Sequence, residues 1–370
     1  MNVFEPNHSQ QLLFALLKLA LWNKAPDKAL FEKADETIWG EVYRLSADQG
    51  IKAVIFDGIM LLNRELQPPR SLKLKWAINV EAIERRYEQS LMAINGMADI
   101  FTKNGISMLV LKGVSLAQYY PVPSHREFAD IDIYLFGKQE EGDRLLLQSG
   151  AAKKIYQSGK HSGLQFNGII VENHNYFLTE KKFHNAAALE KHLAQTLSDN
   201  PLLSNPLICN AVLPPPDFNV LFIACHALGD FITKRLILRF LCDWALFLKA
   251  NKDVIDFDSY RRLITESGFK KFADAFTALA VNQLGLDSDF ALPFDSNPAL
   301  ENRIMQESFN PLFSSITGKQ SLLKMIQFKF NVIKSGRWKY KELLYPEQFY
   351  KIAWRSFLFY ITHPASIGKN

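Results

Sequence analysis

Asn167-Gly168 stands between two short apolar runs, Leu164 to Phe166 and Ile169 to Val171, and an Asn-Gly pair so flanked is the strongest short-range signal for a type I′ hairpin. Two antiparallel strands are thereby fixed, and the rest of the chain must be arranged around a sheet. Runs rich in β-branched residues at Ile106 to Leu111, Ala129 to Phe136 and Ala152 to Tyr156 add strands to the pair within Gly163 to Phe177. Between them Ser115 to Tyr120 reads as a short helix and Gln139 to Gln148 as a longer one, with Leu145, Leu146 and Leu147 inward. On both sides the apolar residues recur at three and four instead. From Ser9 to Asn104 they include Leu12, Leu16, Trp39, Ile55, Ile83, Leu91 and Ile100. Beyond a Pro-rich connector, Pro201 to Pro216, helical periodicity returns in Phe218 to Thr233, Leu236 to Lys249, Ser259 to Ser267, Ala273 to Leu284, Leu322 to Ile333 and Pro346 to Tyr360. The expected fold class is α+β: a small mixed β-sheet core at residues 102–200, flanked by an N-terminal helical region at 1–101 and a C-terminal helical domain at 201–370.

With 370 residues, 48% of them hydrophobic and 22% charged, the chain can bury two or three domains' worth of apolar surface. That excludes a disordered, collagen-like or disulfide-stapled chain. No stretch reaches the roughly 18 to 20 uncharged apolar residues of a bilayer-spanning helix, the longest candidate being broken by His363 and Pro364. Met1 to Pro6 lacks the basic n-region of an export signal. Three scattered cysteines, Cys209, Cys225 and Cys242, suit a reducing compartment, so a cytoplasmic location is expected. A net charge of +5 does not by itself announce a nucleic-acid partner.

Chemistry is concentrated in Leu109-Val-Leu-Lys-Gly-Val-Ser-Leu-Ala-Gln-Tyr-Tyr-Pro121 and Arg126-Glu-Phe-Ala-Asp-Ile-Asp-Ile-Tyr134. Asp130 and Asp132 lie two apart in a strand and share a face, while Ile131 and Ile133 point to the other. Two carboxylates so placed repel each other unless a cation sits between them, and hard oxygens without nearby Cys or paired His favour Mg²⁺ or Mn²⁺ over zinc. A solvated strand face accounts for an isolated Asp-x-Asp as well. Beside it, Gly113-Val114-Ser115 joins an apolar strand to a helix start, where free N–H groups suit phosphate. Lys112 adds a point charge there and Ser115 a hydroxyl, although a structural cap is the ordinary use of such a Ser. A triphosphate seat next to a divalent-metal seat is what in-line nucleotidyl transfer requires.

These motifs resemble the nucleotidyltransferase superfamily with the DNA polymerase β-like fold, and within it a bacterial group of uncharacterised nucleotidyltransferases patterned Leu-Lys-Gly, Tyr-Pro, Arg-x-x-x-Asp-x-Asp. The resemblance implies a nucleotidyltransferase core at 102–200 that moves a nucleoside monophosphate from an NTP to an acceptor hydroxyl and releases pyrophosphate, with Mg²⁺ or Mn²⁺ as cofactor. It assigns Gly113 and Ser115 to the phosphate-binding turn, here with one glycine where the family usually has two, and Asp130 and Asp132 to metal. A third carboxylate on a later strand is expected to complete the metal site, and Glu172 in Ile169-Ile-Val-Glu-Asn-His174 fits that place, as a metal ligand or as a general base. His174, next but one, is carried along as a substrate-pocket or supporting residue.

Four more residues have two readings each. Arg126 either clamps phosphates or pairs with Glu127 or a site aspartate; His161 either faces the site or sits in an exposed loop. His226 with Asp230, and Arg239 with Asp243, read as i,i+4 helix pairs, or else His226 and Arg239 line the substrate pocket. From Lys319 to Arg355 nine basic residues face only Glu342 and Glu347. Lys324, Lys329 and Lys334 drift around a helix, which suits a solvated face better than a nucleic-acid groove. The acceptor is left as a small molecule, a protein or RNA. The competing reading is a non-catalytic nucleotide-binding or protein/RNA-interaction module, including an antitoxin-like partner, that keeps the fold.

Overall fold

The computed structural model describes residues 4–178, 185–310, 334, 336–344 and 350. The N-terminal third is helical: α1 (His8–Trp22), α2 (Lys28–Glu32), α3 (Glu36–Asp48), α4 (Lys52–Leu61) and α5 (Arg70–Lys103). Side chains cap the ends where the sequence offers them. Asn7 and Gln10 form a reciprocal capping box on α1, and Asp35 caps α3. α1 and α4 pack so closely that a Cβ on Gly58 would lie 2.5 Å from the Leu16 carbonyl oxygen.

The middle of the chain then alternates: β1 (Met108–Val110), α6 (Val114–Ala117), β2 (Asp130–Tyr134), α7 (Gln139–Gln148), β3 (Ala152–Gln157), β4 (His161–Phe166), β5 (Ile169–His174), α8 (Ala186–Asp199) and β6 (Ala211–Val212). The six strands form one mixed sheet in the order β3-β4-β5-β2-β1-β6. β4 and β5 are the expected hairpin, with Asn167 and Gly168 at φ 46° and 84° as a type I′ turn demands. β2 lies parallel to β5, with Asp132 opposite Glu172, and antiparallel to β1. One face of the sheet, through Ile131, Ile133, Leu164 and Val171, packs on Ile94, Met97, Ala98 and Phe101 of α5 and Leu146 of α7. The other face carries the acidic residues.

Two local expectations need correction. Leu145, Leu146 and Leu147 do not all point inward: Leu146 is fully buried while Leu147 is 39% exposed, because consecutive helical residues are about 100° apart. The Pro-rich connector is not a plain linker either. Its Ala211 and Val212 form β6, parallel to β1, and Leu203 bridges Leu213 alongside.

The C-terminal helices are α9 (Pro216–Thr233), α10 (Leu238–Asn251), α11 (Phe257–Glu266), α12 (Lys270–Asn282) and α13 (Pro298–Phe309). Their core is aromatic, with Trp244 stacked on Phe276 and Phe231 on Phe272. The helices expected at Leu322 to Ile333 and Pro346 to Tyr360 lie outside the described residues, apart from Tyr350. Of the basic run, Lys334, Arg337, Lys339 and Lys341 are described. Lys339 is not on a solvated face: it is buried, and its Nζ donates to the Phe231 carbonyl at 2.8 Å and pairs with Glu307 at 2.6 Å. No helix among the described residues is long and apolar enough to cross a membrane.

Candidate active site

The acidic face of the sheet opposes α9 and α10 across a cavity of about 400 Å³. Its wall includes Lys112 and Gly113 after β1, Asp130 and Asp132 of β2, Glu172 of β5, His161 of β4 and Arg126 before β2, facing His226 of α9 and Arg239 of α10. Residues on four elements of the sheet and two helices thus meet in one space. The parallel register sets Asp132 and Glu172 side by side on neighbouring strands, which is why a carboxylate forty residues away in sequence joins the Asp pair.

Asp132 is almost wholly buried and its Oδ1 is doubly held: Lys112 Nζ lies 2.9 Å from it and His174 Nε2 2.8 Å. Burial pushes the Asp132 carboxyl up, but the Lys112 ammonium and the His174 ring outweigh it and hold the group far below the usual carboxylate range. Asp130 has no such partner. Burial and the neighbouring Asp132 push its carboxyl up, against the pull of Lys112. Burial lowers the Lys112 ammonium, yet Asp132 and Asp130 together raise it above its ordinary value. His174 is pushed down by burial in spite of Asp132, and its other ring nitrogen, Nδ1, lies 3.2 Å from the Tyr176 carbonyl oxygen.

Glu172 answers to a different set. Tyr156 Oη donates to its Oε1 at 2.7 Å, and His161 Nε2 lies 3.3 Å away. Burial raises the Glu172 carboxyl, but these two hydrogen bonds bring it down to about 2. Tyr156 reaches Glu172 because Gly163 lies between them. A Cβ at Gly163 would stand 2.2 Å from the Tyr156 ring, so only glycine lets the ring lie flat across β4. Burial and Glu172 raise the Tyr156 phenol, which stays protonated.

Three hard carboxylates on one face, one of them raised by burial and by its like-charged neighbours, suit a divalent cation such as Mg²⁺. A nitrogen of His161, a nitrogen of His174 and a Glu172 oxygen also lie within 4.8 Å of one another, near enough to share an ion. The residues present therefore fit a metal.

The arginines differ from expectation. Arg126 does not pair with Glu127 or a site aspartate; it grips Asp243 of α10, Nε to Oδ1 at 2.7 Å and Nη2 to Oδ2 at 2.8 Å, with both side chains buried. Tyr120 Oη donates to the same Oδ1 at 2.8 Å. The expected Arg239–Asp243 helix pair is consequently not made, because Asp243 is already taken and Arg239 Nη1 turns to the Glu127 carbonyl at 2.7 Å. Arg126 Nη1 and Arg239 Nε are buried without a hydrogen-bond partner, and both residues line the cavity. His226 and Asp230 do pair, at 3.7 Å, and both also line it.

Ser115 and His174 do not reach the cavity wall. The Ser115 hydroxyl is fully buried and has no hydrogen-bond partner among the described residues. His174, buried, lies behind Asp132 with its Nε2 2.8 Å from Asp132 Oδ1. His161, for which an exposed loop was the alternative, begins β4 and lines the wall. Tyr156, Lys160 and Lys234 are additions that the sequence reading missed. Tyr156 had the one usable signal, an aromatic residue that a hairpin register would set opposite a glycine.

A sequence model of the family described as uncharacterised nucleotidyltransferase matches residues 35–285, about two thirds of the chain. No curated protein and no solved structure matches it.

Proposed function

The chain belongs to the uncharacterised nucleotidyltransferase family, and from that premise we propose that it moves a nucleoside monophosphate from an NTP to an acceptor hydroxyl with release of pyrophosphate, in a reaction that needs Mg²⁺ or Mn²⁺. The observation that carries this reading is the convergence of Asp130, Asp132 and Glu172 with Lys112, Arg126 and Arg239 around one cavity. Anionic phosphates and a divalent cation have opposite needs, and the cavity lining holds cationic side chains for the one and carboxylates for the other.

In this reading Asp130, Asp132 and Glu172 hold the metal. The bound ion would neutralise charge on the phosphates and lower the pKa of the acceptor hydroxyl. Arg126, Arg239 and Lys112 take the triphosphate by charge-assisted hydrogen bonds, and the positive φ of Gly113 turns the backbone out of β1 so that Lys112 reaches Asp132. His174 and Lys112 fix the orientation of Asp132, and Tyr156 and His161 that of Glu172. The core that carries the reaction is 102–200, closed by β6 and roofed by α9 and α10.

One observation favours the non-catalytic alternative, a nucleotide-binding module: Asp132 Oδ1 is already satisfied by Lys112 and His174. The test is thermal stability with each NTP, with and without Mg²⁺ or Mn²⁺, followed by pyrophosphate release. A ligand at 100 times its Kd adds about 2.7 kcal/mol, a shift of a few degrees. Asp130→Asn is the variant to use, since replacing Asp132 would also strand Lys112 and His174. A metal-dependent shift with one NTP, weakened by Asp130→Asn and accompanied by pyrophosphate release, supports the enzyme. A shift without release supports the module, and no shift with any NTP refutes both.

A further inference from the structure

A second cavity, of about 230 Å³, adjoins the first, and Arg126 and Phe128 line both. Its other polar residues come from two helices. Asn79 and Arg86 stand seven positions apart on α5 and so share a face, and Lys52 begins α4. Three cations from distant parts of the chain thus border one small space, against a single carboxylate, Glu127. Like charges so gathered repel one another unless an anion joins them, and Glu127 is already engaged, its Oε1 accepting from the Lys52 backbone N–H. The cationic donors are not used up. Among the described residues Lys52 Nζ gives one hydrogen bond, to Asn79 Oδ1 at 3.2 Å, and Arg86 gives one, from Nη2 to the Ala129 carbonyl at 2.8 Å. Arg126 spends Nε and Nη2 on Asp243, which leaves Nη1 buried without a hydrogen-bond partner, and a buried donor left so is costly.

We propose that this second cavity binds a phosphate group, free or carried on a small organic molecule, through Lys52, Arg86 and Arg126. Two guanidinium groups and an ammonium supply the charge-assisted hydrogen bonds that a phosphate takes, and Arg126 Nη1 gains the acceptor it lacks. The cavity is separate from the seat of the triphosphate: Asp130, Asp132 and Glu172 are not on its wall, so it holds its anion without a metal. The proposal goes beyond nucleotidyl transfer and does not depend on it.

The experiment is calorimetric titration of the full chain, in EDTA and without NTP, with inorganic phosphate, pyrophosphate or glycerol 3-phosphate. The expected result is saturable binding that becomes about tenfold weaker in Lys52→Gln and in Arg86→Gln, each of which removes one charge-assisted hydrogen bond. Arg85→Gln is the control. It removes the same net charge from an exposed arginine that pairs with Glu81 at 2.7 Å outside the cavity, and it should bind as the wild type does. Tighter binding of phosphate or pyrophosphate identifies the ligand as a free anion, and tighter binding of glycerol 3-phosphate as a phosphoester. No saturable binding of any probe overturns the proposal, as does binding that is unchanged in both variants or equally weakened in Arg85→Gln. Should Arg86→Gln not fold, Lys52→Gln decides alone. The metal-dependent NTP shift is measured apart from all of these, so the two readings fail separately.

Discussion

Asp243→Ala tests whether the helical roof is bonded to the sheet as tightly as the geometry requires. Asp243 accepts from Arg126 Nε at 2.7 Å, Arg126 Nη2 at 2.8 Å and Tyr120 Oη at 2.8 Å, with side-chain exposures of 4% for Arg126 and 2% for Asp243. Removing one partner of a buried ion pair costs about 3–5 kcal/mol, because the other charge is left without solvent or counter-ion. The stranded Tyr120 hydroxyl adds about 1–3 kcal/mol. The expected loss is therefore at least about 4 kcal/mol, a large part of the roughly 5–15 kcal/mol that folded proteins have. Urea denaturation of wild type and variant measures it. Arg126→Met/Asp243→Leu removes both charges and should recover most of the loss. A penalty below about 1 kcal/mol for Asp243→Ala would mean that Arg126 is solvated or paired elsewhere, and the argument would fail.

Two further predictions concern stability. Gly58→Ala, whose Cβ would press on the Leu16 carbonyl at 2.5 Å, should destabilise by about 1–3 kcal/mol, whereas Gly40→Ala, on an open face of α3, should stabilise by about 0.5–1 kcal/mol in the same denaturation assay. His125 bridges Asp57 of α4 at 2.8 Å and Glu84 of α5 at 2.9 Å. Burial lowers its pKa, but the two carboxylates raise it above the ordinary histidine value. A raised folded-state value means that the contribution is complete below about pH 6.5 and is lost as pH rises through the folded value. The stability difference between wild type and His125→Ala should shrink between about pH 6 and 9; a difference that grows with pH would refute the assignment.

The readable parts of the sequence were those whose signal is local. Helical periodicity located α1, α3 to α5 and α9 to α12, and Asn167-Gly168 located the hairpin to the residue. The spacing of Asp130 and Asp132 placed both on a strand, whereas Glu172 was named only through the family resemblance, which implies a third carboxylate on a later strand. α2, α8 and α13 passed unread, although Asn297-Pro298 starts α13 with an N-cap and a first-turn proline. β6 has two residues, too few for any alternation to show. What failed most instructively was partner choice. An i,i+4 spacing suggested Arg239 for Asp243, but the nearer sequence neighbour lost to Arg126, whose two nitrogens meet both carboxylate oxygens. Tyr156 was hidden for a similar reason, since its role depends on the residue opposite it.

The contact between Arg126 and Asp243 spans 117 residues, and that separation is also a time. At about 5–20 residues per second, synthesis delivers Asp243 roughly 6–23 s after Arg126. During that wait the acidic strands can pair among themselves, but the guanidinium has only water to answer it, and for most of the wait the β1 edge, without β6, is open to any passing strand. The site is therefore built floor first and roof last, and a nascent chain stalled between residues 200 and 243 is the species most in need of a chaperone.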